Sequence, residues 1–318
     1  MVCQRVHRRP RAGDTVRIDG THTQRIHAGI RRRDRQRRLT DALGDEDVAE
    51  RRIAGQLELV DPATRLGRPG ETQALVVNIQ GNRPRRPPHG EGLFQYEVAV
   101  VVQDGMRRMF AEQEDVYYYL TVMNENYEHP EMPEGAEADI IKGMYAFRKG
   151  GEGDLRVQLL GSGTIFNEVI AAAELLKNDW GVEADIWGCP SFNELARDGQ
   201  DAARWNLLHP LEAPRKSHVE QKLEGAVGPV IAATDYIRLF AEQIRPYVKG
   251  RYVTLGTDGF GRSDTREKLR HFFEVDRRWV TLAALKALAD EGKIERDKVA
   301  AALVKYKLDP SKPNPMSV

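Results

Sequence analysis

The spacing of hydrophobic residues divides this chain of 318 residues into two unlike parts. Residues 1–92 contain no Phe, Tyr or Trp and show no sustained periodicity, apart from short apolar pieces at residues 53–60 and 74–79. Arginine runs such as RRRDRQRR at residues 31–38 cannot bury enough apolar surface to offset the entropy lost on ordering the backbone. From Phe94 onward apolar residues recur at regular intervals, which predicts that the folded part begins there.

Residues 93–150 show three successive patterns. Val98, Val101 and Met109 fall on one helical face, which predicts an amphipathic helix over residues 95–113. The run VYYYLTVM at residues 116–123 is β-branched and aromatic and predicts a buried strand. Residues 138–148 fit a strand or a short helix equally well. The glycines at positions 150, 151 and 153 are typical of a linker, which puts a domain boundary at residues 150–151.

Strands and helices alternate in residues 151–318. Apolar runs predict strands at residues 156–160, 184–188, 229–233 and 251–255, and helices follow them. Residues 192–205 are rich in charge and are interpreted as mixed helix and loop. After the last of these strands, Asp264 with Glu267 is predicted to cap the next helix. This alternation predicts an α/β domain with a mostly parallel sheet and right-handed crossovers.

Residues 1–92 admit three interpretations. No lysine precedes Lys142, and arginine without lysine or aromatic residues is what out-of-frame reading of GC-rich coding DNA tends to give. The same composition fits a native disordered segment. It also fits an arginine-rich arm that binds phosphates, but no aromatic side chain is present to stack on bases, so we do not expect nucleic-acid binding.

Composition narrows the class and the compartment. The formal net charge is +0, which gives no case for a nucleic-acid or membrane surface. The two cysteines, Cys3 and Cys189, make no disulfide framework. No apolar run approaches the roughly 20 residues that cross a bilayer, and the amino terminus lacks the apolar region of a secretory signal. We therefore expect a cytoplasmic protein without a membrane partner.

Candidate chemistry lies at the ends of predicted strands, where ligand sites often occur. One polar cluster is interpreted either as turn chemistry or as the edge of an active site; it comprises Asn124, Glu125, Asn126, Tyr127 and His129. A glycine-rich loop after residue 255 is interpreted either as a tight turn or as a surface that faces a ligand or a second subunit; its candidate contacts are Asp258, Phe260 and Arg262.

Other polar residues are assigned structural roles more readily than chemical ones. The turn Gly161-Ser162-Gly163 opens a helix and fits either anion binding or packing. His209 and His218 are isolated in the sequence and are expected at the surface or in caps. Cys189 has no histidine at motif distance, so a nucleophile is not expected.

Several long segments resemble one family of enzymes. They are FQYEVAVVVQDGMRRM, YYYLTVMNENYEHPEMPEGAE, VQLLGSGTIFNEV, SFNELARDGQDAARWNLLHPLEAPR and LGTDGFGRSDTREKLRHFFEVD. From Phe94 on, the chain is similar to the carboxy-terminal part of the homodimeric, acetyl-transferring pyruvate dehydrogenases, a transketolase-like family. The resemblance implies that residues 93–150 are a remnant of the pyrimidine-binding domain and residues 151–318 a transketolase-like carboxy-terminal domain.

The resemblance also implies a chemistry. Members of this family use thiamine diphosphate and magnesium to decarboxylate pyruvate, and they pass the two-carbon unit to a lipoyl group of dihydrolipoyl acetyltransferase. The activating glutamate, the diphosphate–magnesium motif and the substrate histidines lie upstream of the region that matches Phe94. No catalytic, cofactor-binding or metal residue is therefore carried over to this chain, which is expected to be inactive alone. The alternatives are a non-catalytic oligomerisation or scaffold module, and one half of a split enzyme.

Overall fold

The computed structural model describes residues 94–121 and 129–318, together with three short strands: Arg17–Ile18 (β1), His22–Thr23 (β2) and Val76–Asn78 (β3). β1 pairs antiparallel with β2 within residues 1–60, and residues 61–318 form a second compact unit. The interpretation of residues 1–92 as a disordered or foreign tract otherwise lies outside the described residues. β3 falls in the apolar piece at residues 74–79 that the sequence singles out.

The first segment of the described region holds a helix and a strand. Helix α1, Gln95–Met106, continues as a π-helical turn, Arg107–Ala111, which confirms the helix predicted over residues 95–113. Strand β4, Tyr119–Thr121, pairs in parallel with β3. The sequence predicts a buried strand here, yet Tyr119 is 49% exposed. A two-stranded sheet leaves one edge and one face of a strand uncovered, which is the physical reason for the difference.

A five-stranded sheet forms the centre of the second unit. Its strands stand in the order β5-β7-β6-β8-β9; they are Tyr145–Arg148 (β5), Arg156–Gly161 (β6), Glu183–Gly188 (β7), Val230–Ala233 (β8) and Tyr252–Leu255 (β9). All neighbours pair in parallel except β5, which runs antiparallel to β7. The α/β class and the mostly parallel sheet predicted from the sequence are confirmed.

β5 precedes the boundary predicted at residues 150–151, but it belongs to the same sheet as the later strands. The chain after β5 stays close to β7: the Gly150 amide donates to Asp185 Oδ1 at 2.9 Å. A Cβ at Gly150 would lie 2.9 Å from the carbonyl oxygen of Ala184, so only glycine allows this approach. The glycines therefore join two strands of one sheet. Residues 138–148, where the sequence allowed either element, contain both helix α2, Glu137–Ile141, and β5.

Helices cover both faces of this sheet. Adjacent strand residues point to opposite faces, so Leu159 packs in one core cluster and Leu160 in the other. The first face is covered by α3, Ile165–Trp180, with α8, Arg277–Asp290, and α9, Arg296–Lys305. The second face is covered by α4, Phe192–Leu208, α5, His218–Lys222, and α6, Leu239–Glu242.

Two local predictions are wrong. α4 is one continuous helix and not a mixture of helix and loop, because its charges lie on the solvent side while Phe192, Leu195 and Ala196 are buried. Helix α7, Arg266–Phe272, is capped by Thr265 and not by Asp264. The Thr265 hydroxyl accepts from the Lys268 amide at 3.5 Å, whereas Asp264 Oδ1 accepts from the Thr265 amide at 2.7 Å.

A buried polar chain ties α1 to the sheet. The Tyr145 hydroxyl on β5 donates to Glu97 Oε1 at 2.7 Å, and the Tyr96 hydroxyl lies 2.8 Å from that of Tyr145. Burial of Glu97, which has no exposed surface, raises the pKa of its carboxyl to about 8. Its Oε2 atom has no hydrogen-bond partner in the described part of the chain. Glu97 is therefore neutral near pH 7 in the folded protein.

We predict that Glu97 makes the protein less stable as the pH rises. The folded state keeps this proton between the ordinary pKa of 4.5 and about 8, while the unfolded state loses it, so the unfolding free energy falls across that window. The fall attributable to Glu97 is at most about 1.4 kcal/mol per pH unit, and Glu97→Gln should remove it.

Urea unfolding of the full chain at several pH values, spread over the roughly three units from pH 5 to pH 8, measures this slope. Glu134→Gln, at an exposed carboxylate, is the matched control and should leave the slope unchanged. A Glu97→Gln variant with the same pH profile as the parent would contradict the assignment.

Candidate functional site

The loops that follow β6 and β8 diverge at the carboxyl edge of the sheet. The loop after β6 enters α3 on the first face, where Phe166 and Val169 join the core. The loop after β8 leads to α6 on the second face, where Ala241 is buried. Two adjacent parallel strands whose connections part in this way leave a crevice between them, and open α/β sheets bind ligands at that position.

A cleft of about 410 Å³ opens at this crevice. Thr164 and Ile165 line it from the start of α3, and Asp235 and Tyr236 line it from the loop after β8. The Thr164 hydroxyl donates to Asp235 Oδ2 at 3.3 Å, so the two diverging loops are bridged across its floor. The remaining wall comes from the glycine-rich loop after β9 and from α7.

Three arginines four residues apart stand along that wall: Arg262, Arg266 and Arg270. Arg270 Nη1 lies 3.7 Å from Glu168 Oε1 on α3. Glu168 also accepts from Arg277 Nε at 2.8 Å and from its Nη2 at 3.1 Å. Burial opposes the ionisation of Glu168, but the hydrogen bonds from Arg277 outweigh it and hold the pKa of the carboxyl below its usual value. The Glu168 carboxylate beside Arg270 is thus already engaged by Arg277.

The predicted loop contacts divide between two roles. Arg262 lies in the cleft, with its guanidinium 4.4 Å above the ring of Phe272. Asp258 anchors the loop instead, because its Oδ2 accepts from Arg238 Nε at 2.7 Å. Phe260 is 79% exposed. Gly259 adopts φ +109° against the Pro315 carbonyl, which only a residue without a side chain tolerates. That this loop faces a ligand or a second subunit stays a prediction.

The polar cluster after β4 is described only in part. Residues 124–127, which hold Asn124, Glu125, Asn126 and Tyr127, lie outside the described residues. His129 Nδ1 accepts from the Gln95 amide at 3.1 Å, and its ring packs edge-on against Phe94 with 5.9 Å between centroids. The hydroxyls of Thr121, at the end of β4, and of Tyr236 hydrogen-bond to each other at one rim of the cleft. The role of this cluster as an active-site edge stays a prediction.

The isolated residues have structural roles. His218 was expected at the surface or in a cap. It follows the cap Ser217 at the start of α5 and is buried: its Nε2 lies 2.8 Å from the Met144 carbonyl oxygen, and burial lowers its pKa. His209 stacks on Trp205 with 4.4 Å between centroids. Burial raises the pKa of the Cys189 thiol, which suits an inert side chain. A Cβ at Gly161 would lie 2.4 Å from the Phe166 ring, so the turn at residues 161–163 serves packing.

Sequence reasoning did not single out Asp235, Tyr236, Arg266 or Arg270. Arg266 and Arg270 lie four residues apart on α7, and this spacing could have indicated part of the basic wall, since residues four apart share a helical face. Arg262 lies in the loop before that helix. Asp235 and Tyr236 could not be tied to it, because only the strand order brings their loop next to α7.

No residue of the described ranges is carried over as a ligand of the cofactor that the resemblance implies. Within residues 94–121 and 129–318, no three or more His, Cys, Asp or Glu side chains are grouped so that they could hold a metal ion. Magnesium at a diphosphate is usually held by one or two carboxylates together with phosphate oxygens and water molecules. We therefore assign no catalytic step to these residues. A search of the same residues for a helix long and apolar enough to cross a membrane found none.

Comparisons with known proteins identify the relatives of this chain. Residues 143–276 match the family model of the transketolase-like TK C-terminal domain, and residues 78–130 match that of the pyruvate dehydrogenase E1 component middle domain. The chain is 78% identical to the pyruvate dehydrogenase E1 component of Cupriavidus necator over 227 residues. The matched residues make up 71% of this chain and 25% of that protein. The matched part of this chain belongs to the pyruvate dehydrogenase E1 family.

Other relatives agree on the family and on the share of it that is present. The pyruvate dehydrogenase E1 component of Escherichia coli strain K12 is 54% identical over 273 residues, covering 77% of this chain and 30% of that protein. The chain thus spans between a quarter and a third of the length of these relatives and corresponds to their carboxy-terminal part. The middle-domain match begins at residue 78, inside the region that the sequence set apart as residues 1–92.

Solved structures with a similar arrangement are transketolases at low identity. A transketolase from Leishmania mexicana is 14% identical, with a TM-score of 0.42, over 68% of this chain and 25% of its own. A transketolase from Pichia stipitis, in complex with sedoheptulose-7-phosphate, is also 14% identical, with a TM-score of 0.41, over 69% of this chain and 26% of its own.

We predict that Glu168→Gln destabilises the protein. The substitution removes the charge that Arg277 and Arg270 surround, and Glu168 is 8% exposed at its side chain, so the cost should be about 1–3 kcal/mol. Glu174→Gln on the same helix is the control: Glu174 pairs with Arg148 at 2.6 Å with both side chains about half exposed, and its loss should cost well under about 1 kcal/mol.

Urea denaturation near neutral pH, applied to the full chain and both variants, compares the two carboxylates directly. Equal unfolding free energies for Glu168→Gln and Glu174→Gln would show that Glu168 does not hold the wall of the cleft.

Proposed function

We propose that this chain supplies the carboxy-terminal domain of a pyruvate dehydrogenase that decarboxylates pyruvate and transfers the acetyl unit to a lipoyl group. The observation that carries the proposal is the 78% identity to the Cupriavidus necator protein over 71% of this chain. At that identity we expect the two proteins to share the sheet and the helices that cover it. The carboxy-terminal domain would support the dimer and close over the site.

The proposed reaction requires cofactor-binding elements that the resemblance places upstream of the region matching Phe94. The family is a thiamine-diphosphate-dependent, transketolase-like group. The described residues offer no ligand set for the accompanying metal ion. We propose that the chain turns over no pyruvate by itself, and that it acts in the cytoplasm as part of a homodimeric assembly that meets dihydrolipoyl acetyltransferase.

One observation favours a split enzyme over an isolated fragment. Apolar side chains of the first described segment remain open to solvent: Met106 is 44%, Phe110 is 55% and Tyr119 is 49% exposed. In the family this segment belongs to the pyrimidine-binding domain, whose larger sheet would cover it. A separate chain that carries that domain would bury this surface, as would a scaffold partner in the non-catalytic alternative.

A chimeric enzyme tests the proposal. Residues 94–318 of this chain replace the matching part of the Cupriavidus necator protein, and pyruvate decarboxylation is measured with added thiamine diphosphate and magnesium. We predict a kcat/KM within about ten-fold of the parent enzyme, because the exchanged parts share the same fold and packing.

The controls separate the domain from the cofactor site. The Cupriavidus necator protein truncated before the matching part should be inactive, and so should this chain alone. A chimera that is folded and dimeric but loses activity by more than about a thousand-fold would refute the proposal.

A further inference from the structure

We propose that the joint between α1 and β5 is a pH-sensitive latch, which opens locally when Glu97 ionises while the five-stranded sheet stays folded. The joint is the set of contacts that Phe94, Tyr96 and Glu97 make with Tyr145 and Phe147. This latch belongs to the fold and does not depend on the function proposed above. It also differs from the loss of global stability predicted for Glu97, because a latch opens before the rest of the chain unfolds.

Glu97 has no contact with water while the joint is closed. Its side chain has no exposed surface, its Oε1 accepts from the Tyr145 hydroxyl at 2.7 Å, and its Oε2 has no hydrogen-bond partner among the described residues. Burial outweighs the hydrogen bonds from Tyr145 and from the main chain of Phe94, so the pKa of the carboxyl rises to about 8. The closed joint therefore favours the protonated carboxyl.

The groups that face Glu97 offer no positive charge to hold it as a buried carboxylate. Tyr145 faces it from β5, Tyr96 lies beside it on α1, and Cys189 follows the end of β7. Burial raises the pKa of both phenols and of the thiol, so all three are neutral near pH 8. Glu97 forms no ion pair within the described part of the chain. Its charge is therefore solvated only when α1 moves away from β5 and admits water.

The other titratable groups on the elements packed around α1 are engaged elsewhere or exposed. Glu137 on α2 is exposed. The engaged groups are His129, Asp139 on α2 and Glu168 on α3, which contact the Gln95 amide, Lys222 and Arg277 respectively. Beside them, α2 and α3 contribute apolar side chains to the core that α1 joins. The protonation of Glu97 is therefore the variable that decides whether the joint stays closed.

Opening stays local because strand pairing does not hold α1. The five-stranded sheet contains no strand from residues 94–121, and β4 pairs with β3 instead. β6, by contrast, is hydrogen-bonded to both β7 and β8. Moving α1 away from β5 breaks side-chain contacts and leaves this ladder intact, so it exposes less surface than global unfolding does.

The open form of the joint is favoured as the pH rises. In the closed joint the carboxyl keeps its proton up to about pH 8, and in the open joint it regains an ordinary pKa of 4.5. Between these two values, each pH unit favours the open form by up to about ten-fold. Above about pH 8 the effect levels off, because the carboxyl is then charged in both forms.

Hydrogen exchange of the full chain, read by mass spectrometry near pH 6 and near pH 8, tests the latch. After correction for the intrinsic effect of pH on amide exchange, the opening equilibrium of α1 should rise about ten- to fifty-fold between these two conditions. At both, amides of α1 should exchange faster than those of β6. Their opening should also respond little to dilute urea, because a local opening exposes little surface.

Glu97→Gln should abolish the pH dependence of α1 exchange, because an amide does not titrate in this range and still accepts from the Tyr145 hydroxyl. Glu134→Gln, at an exposed carboxylate, is the control and should keep that dependence. The proposal is overturned if α1 and β6 show the same protection and the same urea dependence at both pH values, since α1 would then open only by global unfolding. It is also overturned if exchange of α1 in the parent is independent of pH after correction, or if Glu97→Gln retains the dependence.

Discussion

The central place of β6 in the sheet is the constraint on which the rest of this structure depends. Its neighbours are β7 on one side and β8 on the other, all parallel, with matched register from Gln158 to Gly161 against both. Parallel strands need crossover connections, and right-handed crossovers on the two sides of β6 must place their helices on opposite faces. The two-layered core, the buried run of β6 and the cleft at its carboxyl end are consequences of that order.

The segment before this domain stays attached through buried polar contacts. Glu97 and Tyr145 meet in the core, where Tyr145 belongs to the same apolar cluster as Phe94 and Phe166. A buried carboxyl is costly when charged, so this contact holds α1 firmly only while Glu97 keeps its proton. In the same segment, Phe110 and Tyr119 stay about half exposed.

The sequence carried enough information for the strands and for the class of fold. Short β-branched runs such as VQLL and VIAA are buried on both faces and stand out against their polar flanks. The buried polar contacts between distant parts of the chain are different in kind. Glu168 and Arg277 are 109 residues apart in the sequence, and Glu97 and Tyr145 are 48 residues apart. No local sequence pattern therefore predicts either pair.

Glycines and charged residues were hard to interpret from the sequence alone, for a related reason. Glycines at positions 150, 151 and 153 look like a linker, yet their lack of side chains lets the chain press against β7. Likewise the charges of α4 suggested interruption, although they line only its outer face. Glycine content and charge report local freedom and solvation, while membership of a sheet is decided by pairing with distant strands.

The central claim is that this chain provides a carboxy-terminal domain and not a cofactor site. Calorimetric titration of the purified full chain with thiamine diphosphate in the presence of magnesium tests it most directly, with the intact Cupriavidus necator protein as the positive control. The account predicts no saturable uptake by this chain. Tight binding of one thiamine diphosphate per chain would contradict it.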